Sequence, residues 1–358
     1  MNQIDNVVKK ITVLNVAYPF APVRRETAGG AEQVVSVLDH ALYERGAVSL
    51  VVACSGSRIK GHLIRTPRVR CPQDENETGW AWRNHSRAIE KARERWAVDL
   101  IHLHGLDFQH YLPAPGIPVL ATLHLPPSWY SPAIFGIERP GTYLQCVSAS
   151  QRQACPESKI LVPTIENGVA VSRMPFKALK AGYVLSLGRI CPEKGYDIAI
   201  RAARQAKRPL IIAGEIYPYE AHSRYFREVL LPHIDGSNCR FIGRVGWSGK
   251  CALMANARCV LIPSLVPETS SLVAMEALAC GTPVIAFPAG ALGDIVDSGK
   301  TGFLVESEEE MAAAIEKAGD IDPVLCRTTA LERFPAERMI RRYLNLYTEL
   351  IATWKSRS

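Results

Sequence analysis

Residues 267–284 read PETSSLVAMEALACGTPV. Pro267 stands ahead of Thr269, Ser270 and Ser271, each able to cap a helix, and Leu272 to Cys280 is a run of good helix formers. Gly281 ends that helix and Pro283 prevents its return. PVIAF then reads as a short buried strand, so the stretch is a loop, a helix, a turn and a strand. Two glutamates frame the helix start, Glu268 just before it and Glu276 two turns inside. At about 1.5 Å per residue they stand at most roughly 12 Å apart along the axis. Between them the first turn offers unpaired amides and the positive end of the helix dipole, an anion site. The spacing suits one carboxylate on sugar hydroxyls, the amides on a diphosphate and the other carboxylate on a ribose. On this stretch alone, a carboxylate complementing the dipole plus a solvated helix glutamate explains the pattern equally well.

Strand-like and helix-like segments alternate on both sides of this stretch. KITVLNVAY, AVSLVVACS, LIHLHG, IPVLATLH and TYLQCVSAS are short apolar runs, and GGAEQVVSVLDHALYERG and HSRAIEKARERWAVD are amphipathic helices between them. The pattern breaks near AVSRMPFKALKAG and a second cycle begins at YVLSLGR, continuing through PLIIAGE, CRFIGRV and RCVLIPS. This is the βαβ alternation of open parallel sheets, met twice. The expected division is a domain over 1–170, a linker over 171–181, a second domain over 182–335 and a terminal helix over 336–358. That helix carries Met339, Tyr343, Leu346, Tyr347 and Leu350 as a packing stripe, expected to turn back towards the N-terminal domain. The fold class is therefore α/β, two Rossmann-like domains facing a central cleft at the carboxyl ends of their strands.

Composition narrows the function classes. The chain has 358 residues, 47% hydrophobic and 22% charged, with a net charge of +7, as befits two globular domains. Its densest basic stretch, Arg58 to Arg95, lacks the aromatic interleaving of a nucleic-acid binder. Attraction to anionic lipid heads or phosphorylated ligands stays open. The ten cysteines follow no zinc spacing, and Cys54 and Cys259 sit inside apolar runs, as small buried hydrophobes of a reducing compartment do. Lys9 and Lys10 precede an apolar strand that Asn15 and Pro19 interrupt, which does not make a signal peptide. No apolar run approaches the roughly 20 residues of a spanning helix. A cytoplasmic protein is expected, with contact to the inner face of a membrane left open.

Neither a GxGxxG fingerprint nor a GxxxxGK[ST] loop is present, which speaks against dehydrogenases and P-loop enzymes. Instead SLGRICPEKGYD places Arg189 and Lys194 in the loop after a strand, a fork and a point charge suited to clamping phosphoryl groups, or else a solvated basic loop. Gly29 and Gly30 precede a helix and allow an anion close backbone approach, though a tight turn alone also explains them. His102, His104 and His124 fall at predicted strand ends; His124, against a proline-rich loop, is the one placed at the cleft mouth. No carboxylates stand at ligand spacing from them, so no metal site is expected.

With these segments in order, the chain resembles the retaining glycosyltransferases of family 4, which have the GT-B fold. The likeness rests on Gly29-Gly30-Ala31-Glu32, HLHG, TLH, ENGV at Asn167-Gly168, LGRICPEKG, FIGRV, the E-x7-E helix with EALACGTPVIA, SGKTGFLV and YLNLYTEL, and covers almost the whole chain. The resemblance implies that Arg189 and Lys194 hold the diphosphate of a nucleotide-sugar donor. It gives Glu268 the donor-sugar hydroxyls and Glu276 the ribose, and puts the amides of Ser271, Leu272 and Val273 on the distal phosphate. Arg244 and Val245 would frame the base, His124 would lie near the reacting sugar and Gly30 near the diphosphate. One departure is plain: many relatives have Phe-Gly where this chain has Ser270-Ser271.

The activity expected on this resemblance is a retaining, metal-independent transfer of a sugar from a nucleoside diphosphate-sugar, a UDP-sugar favoured, to a hydroxyl acceptor, with no cofactor. A glycosidase pair needs its carboxylates about 5 to 10 Å apart across the scissile bond, whereas these lie along the donor. Front-side attack, with the departing phosphate taking the acceptor proton, fits better. A phosphorylase or sugar-nucleotide epimerase on the same fold, or a non-catalytic nucleotide-sugar-binding subunit, are the rivals. The acceptor, whether a sugar, a lipid-linked group or a small molecule, is expected near Tyr18 to Arg25 and the basic segment. Trp80, Trp82 and Trp129 are expected to be ordinary packing residues.

Overall fold

The computed structural model describes residues 8, 11–25, 27, 29–69 and 74–357. Lys9 and Lys10, Ala28 beside the double glycine, and Arg70 of the basic segment lie outside the described residues. The chain forms two compact units, Met1–Glu166 with Arg338–Ser358, and Asn167–Glu337.

The first unit holds six parallel strands, β1 (Thr12–Val16), β2 (Val48–Cys54), β3 (His62–Thr66), β4 (Leu100–Leu103), β5 (Val119–Leu123) and β6 (Thr142–Cys146), in the order β3-β2-β1-β4-β5-β6. Helices on both faces bury the central strands, which is why they read as continuous apolar runs. Leu14, Leu50, Ile101 and Val119 pack on one face with Ile89 of the Glu75–Arg95 helix. That helix starts well before the pattern at His85, because the Asp74 side chain caps it by accepting from Glu77 N at 2.8 Å. The Ala336–Lys355 helix seals the same unit with its stripe: Tyr343 donates to Gln145 Oε1 at 2.8 Å, Tyr347 OH meets His102 Nδ1 at 2.7 Å, and Lys355 pairs with Asp99 at 2.9 Å.

In the second unit β7 (Val184–Leu187), β8 (Leu210–Ala213), β9 (Cys239–Phe241), β10 (Val260–Ile262), β11 (Val284–Ala286) and β12 (Gly302–Leu304) form another parallel sheet, in the order β12-β11-β10-β7-β8-β9. Residues 171–181 fall inside this unit and are docked on it. Lys177 Nζ reaches Asn256 Oδ1 at 2.8 Å, and Lys180 Nζ reaches the carbonyls of Ala255 and Cys280 at 3.0 and 3.2 Å. Those carbonyls end the Trp247–Asn256 and Leu272–Ala279 helices, so one ammonium serves two negative helix ends.

In each sheet the strand order reverses between two adjacent central strands, β1 and β4 in the first, β7 and β10 in the second. Loops leaving the carboxyl ends of such a pair part in opposite directions and open a crevice, the usual ligand position in open α/β sheets. In the second unit they are the loops after Leu187 and after Ile262. No helix among the described residues is long and apolar enough to cross a membrane.

Candidate functional site

The two switch-point loops of the second unit carry the residues singled out by their chemistry. After β7 the chain passes Gly188 and Arg189 into a single 3-10 turn, Pro192–Lys194. Gly195 then turns left-handed at φ 62°, where an added Cβ would collide with Pro263 O. The β10 loop lies directly against it, with Leu265 N donating to Glu193 O at 2.8 Å. Lys194 Nζ donates to Glu268 Oε1, which also accepts from Ser264 Oγ. The pair keeps some solvent contact, 28% for Lys194 and 12% for Glu268. Glu268 is held at its backbone too, donating to Ala289 O at 3.2 Å and accepting from Ala291 N at 2.8 Å. Arg189 extends from the same loop towards Tyr217, its guanidinium carbon 5.9 Å from the ring centroid.

The Leu272–Ala279 helix forms where the sequence pattern predicts. Of the three hydroxyl residues, Ser271 is the cap, its Oγ accepting from Ala274 N at 3.4 Å. Its φ of −84° suits any residue, so a serine is unstrained there. Ser270 Oγ is buried without a partner. The amides expected to meet a phosphate are not equivalent. Leu272 N donates to Ser270 O at 3.1 Å in the tight turn that starts the helix. The Ser271 and Val273 amides stand ahead of the first intrahelical acceptor, as first-turn amides do.

Glu276 is not a solvated glutamate. It is 3% exposed and its Oε1 lies 2.5 Å from Lys250 Nζ. Lys250 comes from the Trp247–Asn256 helix and also lies 4.8 Å from the Trp247 ring centroid. Neither Lys250 nor Ser264 stands out in the sequence, since each meets its carboxylate only through the fold. Arg244 and Val245 come after β9, where Gly214 N donates to Gly243 O at 2.9 Å, and Arg244 pairs with Glu215 at 3.7 Å on a solvent-facing edge.

In the first unit, His104 and His124 directly follow β4 and β5. His104 Nδ1 lies 3.0 Å from His124 Nε2, and His104 Nε2 lies 3.2 Å from Asn15 Oδ1 on β1. Burial drives both imidazoles well below their usual range, so both are neutral. With Asn15 Oδ1 accepting, the His104 proton sits on Nε2. His104 Nδ1 then accepts from His124 Nε2–H, which leaves His124 Nδ1 an acceptor; this tautomer is assigned from the network. His102 is wholly buried and satisfied by Tyr347 OH and Thr122 Oγ1, each at 2.7 Å, a core histidine rather than a site residue. Gly30 opens the Gly30–Glu44 helix, whose start no side chain caps. Trp82 packs as expected, donating to Asp107 and stacking on His110 at 3.6 Å. Trp80 and Trp129 depart from that expectation, with 42% and 43% exposure.

Two doubly wound six-stranded parallel sheets in one chain, the second with basic and acidic groups at its switch point, make the GT-B fold. Residues 28–173 of the chain match the family Glycosyltransferase Family 4 and residues 173–323 match the family Glycosyl transferases group 1. It is 28% identical over 267 residues to a glycogen synthase of Mycobacterium tuberculosis, covering 66% of this chain and 63% of that protein. It thus spans about 63% of the length of that relative. A phosphatidyl-myo-inositol mannosyltransferase of Mycobacterium leprae is 29% identical over 292 residues, covering 72% of this chain and 74% of that one. Among solved structures, Anabaena Alr3699/HepE in complex with UDP and glucose superposes with a TM-score of 0.73 at 18% identity, covering 94% of this chain and 99% of that one.

Proposed function

We propose that this chain is a retaining glycosyltransferase that moves a sugar from a nucleoside diphosphate-sugar, a UDP-sugar by preference, to a hydroxyl acceptor without a metal in the chemistry. The observation that carries the reading is the meeting of the two switch-point loops. The Arg189–Lys194 loop is hydrogen-bonded to the loop bearing Glu268, immediately ahead of a helix start whose second turn holds Glu276. A diphosphate fits between cationic side chains and helix amides, with one carboxylate towards each of its ends. The Anabaena structure, solved with UDP and glucose, and the sugar-transferring relatives support the donor class.

In this reading the bond between the anomeric carbon and the diphosphate oxygen breaks, and its electron pair goes to the phosphate. The acceptor oxygen attacks on the same face, and its proton passes to the departing phosphate oxygen. Arg189, Lys194 and the Val273 amide stabilise the charge that develops there, the part a divalent cation plays elsewhere. Glu268 orients sugar hydroxyls and Glu276 the ribose. His124, an acceptor at Nδ1, and Gly30 keep the roles the family resemblance gives them. The acceptor is a sugar, lipid-linked or small-molecule hydroxyl, and no cofactor takes part.

The test is a binding screen of UDP-, GDP-, ADP- and dTDP-sugars by calorimetry on wild type, Glu276→Ala and Lys194→Ala. Micromolar binding of one donor class, weakened by both substitutions, is the expected result. The released sugar's anomer, read by NMR, decides retention, and turnover should persist in EDTA. Complete loss in EDTA would overturn the metal-independent part, and binding unchanged by either substitution would overturn the donor site.

A further inference from the structure

The second unit also gathers three side chains that sugar transfer leaves unused. Cys191 and Glu193 flank Pro192 in the loop after β7, and His222 lies on the short Glu220–Arg224 helix after β8. One ligand-type atom from each, the Cys191 sulfur, a Glu193 oxygen and a His222 ring nitrogen, lie within 4.8 Å of one another. Cys191 and His222 are buried and Glu193 is half-buried. Glu193 Oε2 and His222 Nδ1 are shut off from solvent and have no hydrogen-bond partner. The thiol meets the Glu193 carboxylate and makes a long contact, 3.6 Å, to Arg189 O. Buried polar atoms are nearly always paired, so two unpaired atoms on residues clustered with a thiol call for a group that pairs with them.

We propose that Cys191, Glu193 and His222 form a binding site for a zinc-class divalent cation. Sulfur, imidazole and a single carboxylate favour zinc over the oxygen-seeking magnesium and calcium. Tetrahedral zinc holds such ligand atoms roughly 3.5 Å apart, so the cluster must close by only about 1 Å. Glu193 on a single 3-10 turn and His222 in the first turn of its helical segment leave room for that closure. On binding, the thiol gives its proton to solvent. Thiolate and carboxylate then balance the dication and the neutral imidazole adds nothing, so the filled site does not repel the neighbouring Arg189. Two ligands share one loop, the third comes from a helix after the next strand, and no Cys-x-x-Cys spacing links them, which is why the sequence pattern does not reveal them. Two of its ligands alternate with Arg189 and Lys194 in one loop, and transfer in the reading above does not require the site to be filled.

The experiment is a titration of the reduced, chelator-stripped full chain with Co2+, followed by displacement with Zn2+. One equivalent of Co2+ should bind at micromolar concentration and produce both tetrahedral ligand-field bands and a thiolate charge-transfer band. Cys191→Ser should abolish the charge-transfer band, and His222→Gln should weaken binding about tenfold or more. Glu193→Gln, at a half-buried position, keeps the test open if either of the others fails to fold, which circular dichroism reports. It should retain the thiolate band and lose affinity. No binding at micromolar metal, a thiolate band that survives Cys191→Ser, or an affinity untouched by Glu193→Gln overturns the proposal.

Discussion

Glu276 Oε1 and Lys250 Nζ lie 2.5 Å apart with only 3% and 13% of their side chains exposed, so the carboxylate assigned to the ribose is already half of a buried ion pair. Removing one member of such a pair strands the other charge, at a cost of about 3–5 kcal/mol. Lys250→Ala should therefore destabilise the second unit by that order. The Lys250→Met/Glu276→Leu double variant should recover most of the loss while losing nucleotide affinity. A urea double-mutant cycle measures the coupling; a double variant as unstable as the two single changes summed would show the pair to be uncoupled.

Glu268 meets Lys194 and Ser264 through the same oxygen. Lys194→Ala removes the cation proposed to face the donor phosphate together with Glu268's charged partner. Turnover should drop about 100- to 1000-fold, the cost of losing one charge-stabilising donor. Ser264→Ala leaves the cation in place, so it should raise KM for the donor several-fold and leave kcat nearly unchanged. Steady-state kinetics with the preferred donor separate the two effects. Equal losses in kcat would mean that Ser264 holds the catalytic geometry rather than the ground state.

The parts of the site legible in the sequence are those written in contiguous residues with glycine and proline punctuation. PETSSLVAMEALACGTPV announces its own loop, cap, helix and strand, and SLGRICPEKG announces a basic loop after a strand. What stays hidden is pairing across the fold. Lys250 is 26 residues from Glu276 in sequence, and Lys194 is 74 from Glu268. Strand β3, His62–Thr66, is hidden for another reason: it is a sheet edge whose residues HLIRT are mostly half-buried or exposed, so it lacks the apolar run of its neighbours. The segment 171–181 looks like a linker because Arg173, Pro175, Lys177 and Lys180 break the apolar pattern, yet Lys177 meets the Asn256 side chain and Lys180 the carbonyls at two helix ends. The Asn15–His104–His124 chain likewise depends on three strands lying side by side, which no single stretch of sequence states.

Gly290 controls the same carboxylate from behind. It sits at φ 62° with its α-carbon against the Glu268 backbone, and a Cβ there would collide with Glu268 O. Gly290→Ala thus adds left-handed strain, about 1–2 kcal/mol, and pushes Glu268 away from Lys194. Stability should fall by at least that amount, and donor affinity should fall with it. Thermal melts and calorimetry on one preparation check both; a variant that melts lower but binds donor normally would show that Glu268 is held by Ser264 and Lys194 alone.

The first unit should be acid-sensitive well before its carboxylates titrate. Burial lowers His85 from 6.5 to about 4 and His124 from 6.5 to about 3, and holds His102 and His104 well below 6.5. Each imidazole stays neutral in the folded chain and takes up a proton once unfolded. The unfolded state therefore binds more protons below pH 6.5, and stability falls as pH drops through that value. For His85 the loss approaches about 3 kcal/mol by pH 4, at about 1.4 kcal/mol per pH unit. Buried Asp107, with its carboxyl raised by desolvation, opposes the trend only in part. Melting temperature should fall steeply between pH 6.5 and 4.5, with net proton uptake on unfolding. His85→Phe, which sets a ring of similar size near Tyr111, should flatten that slope; a slope unchanged by this substitution would mean that His85 carries its proton in the folded state.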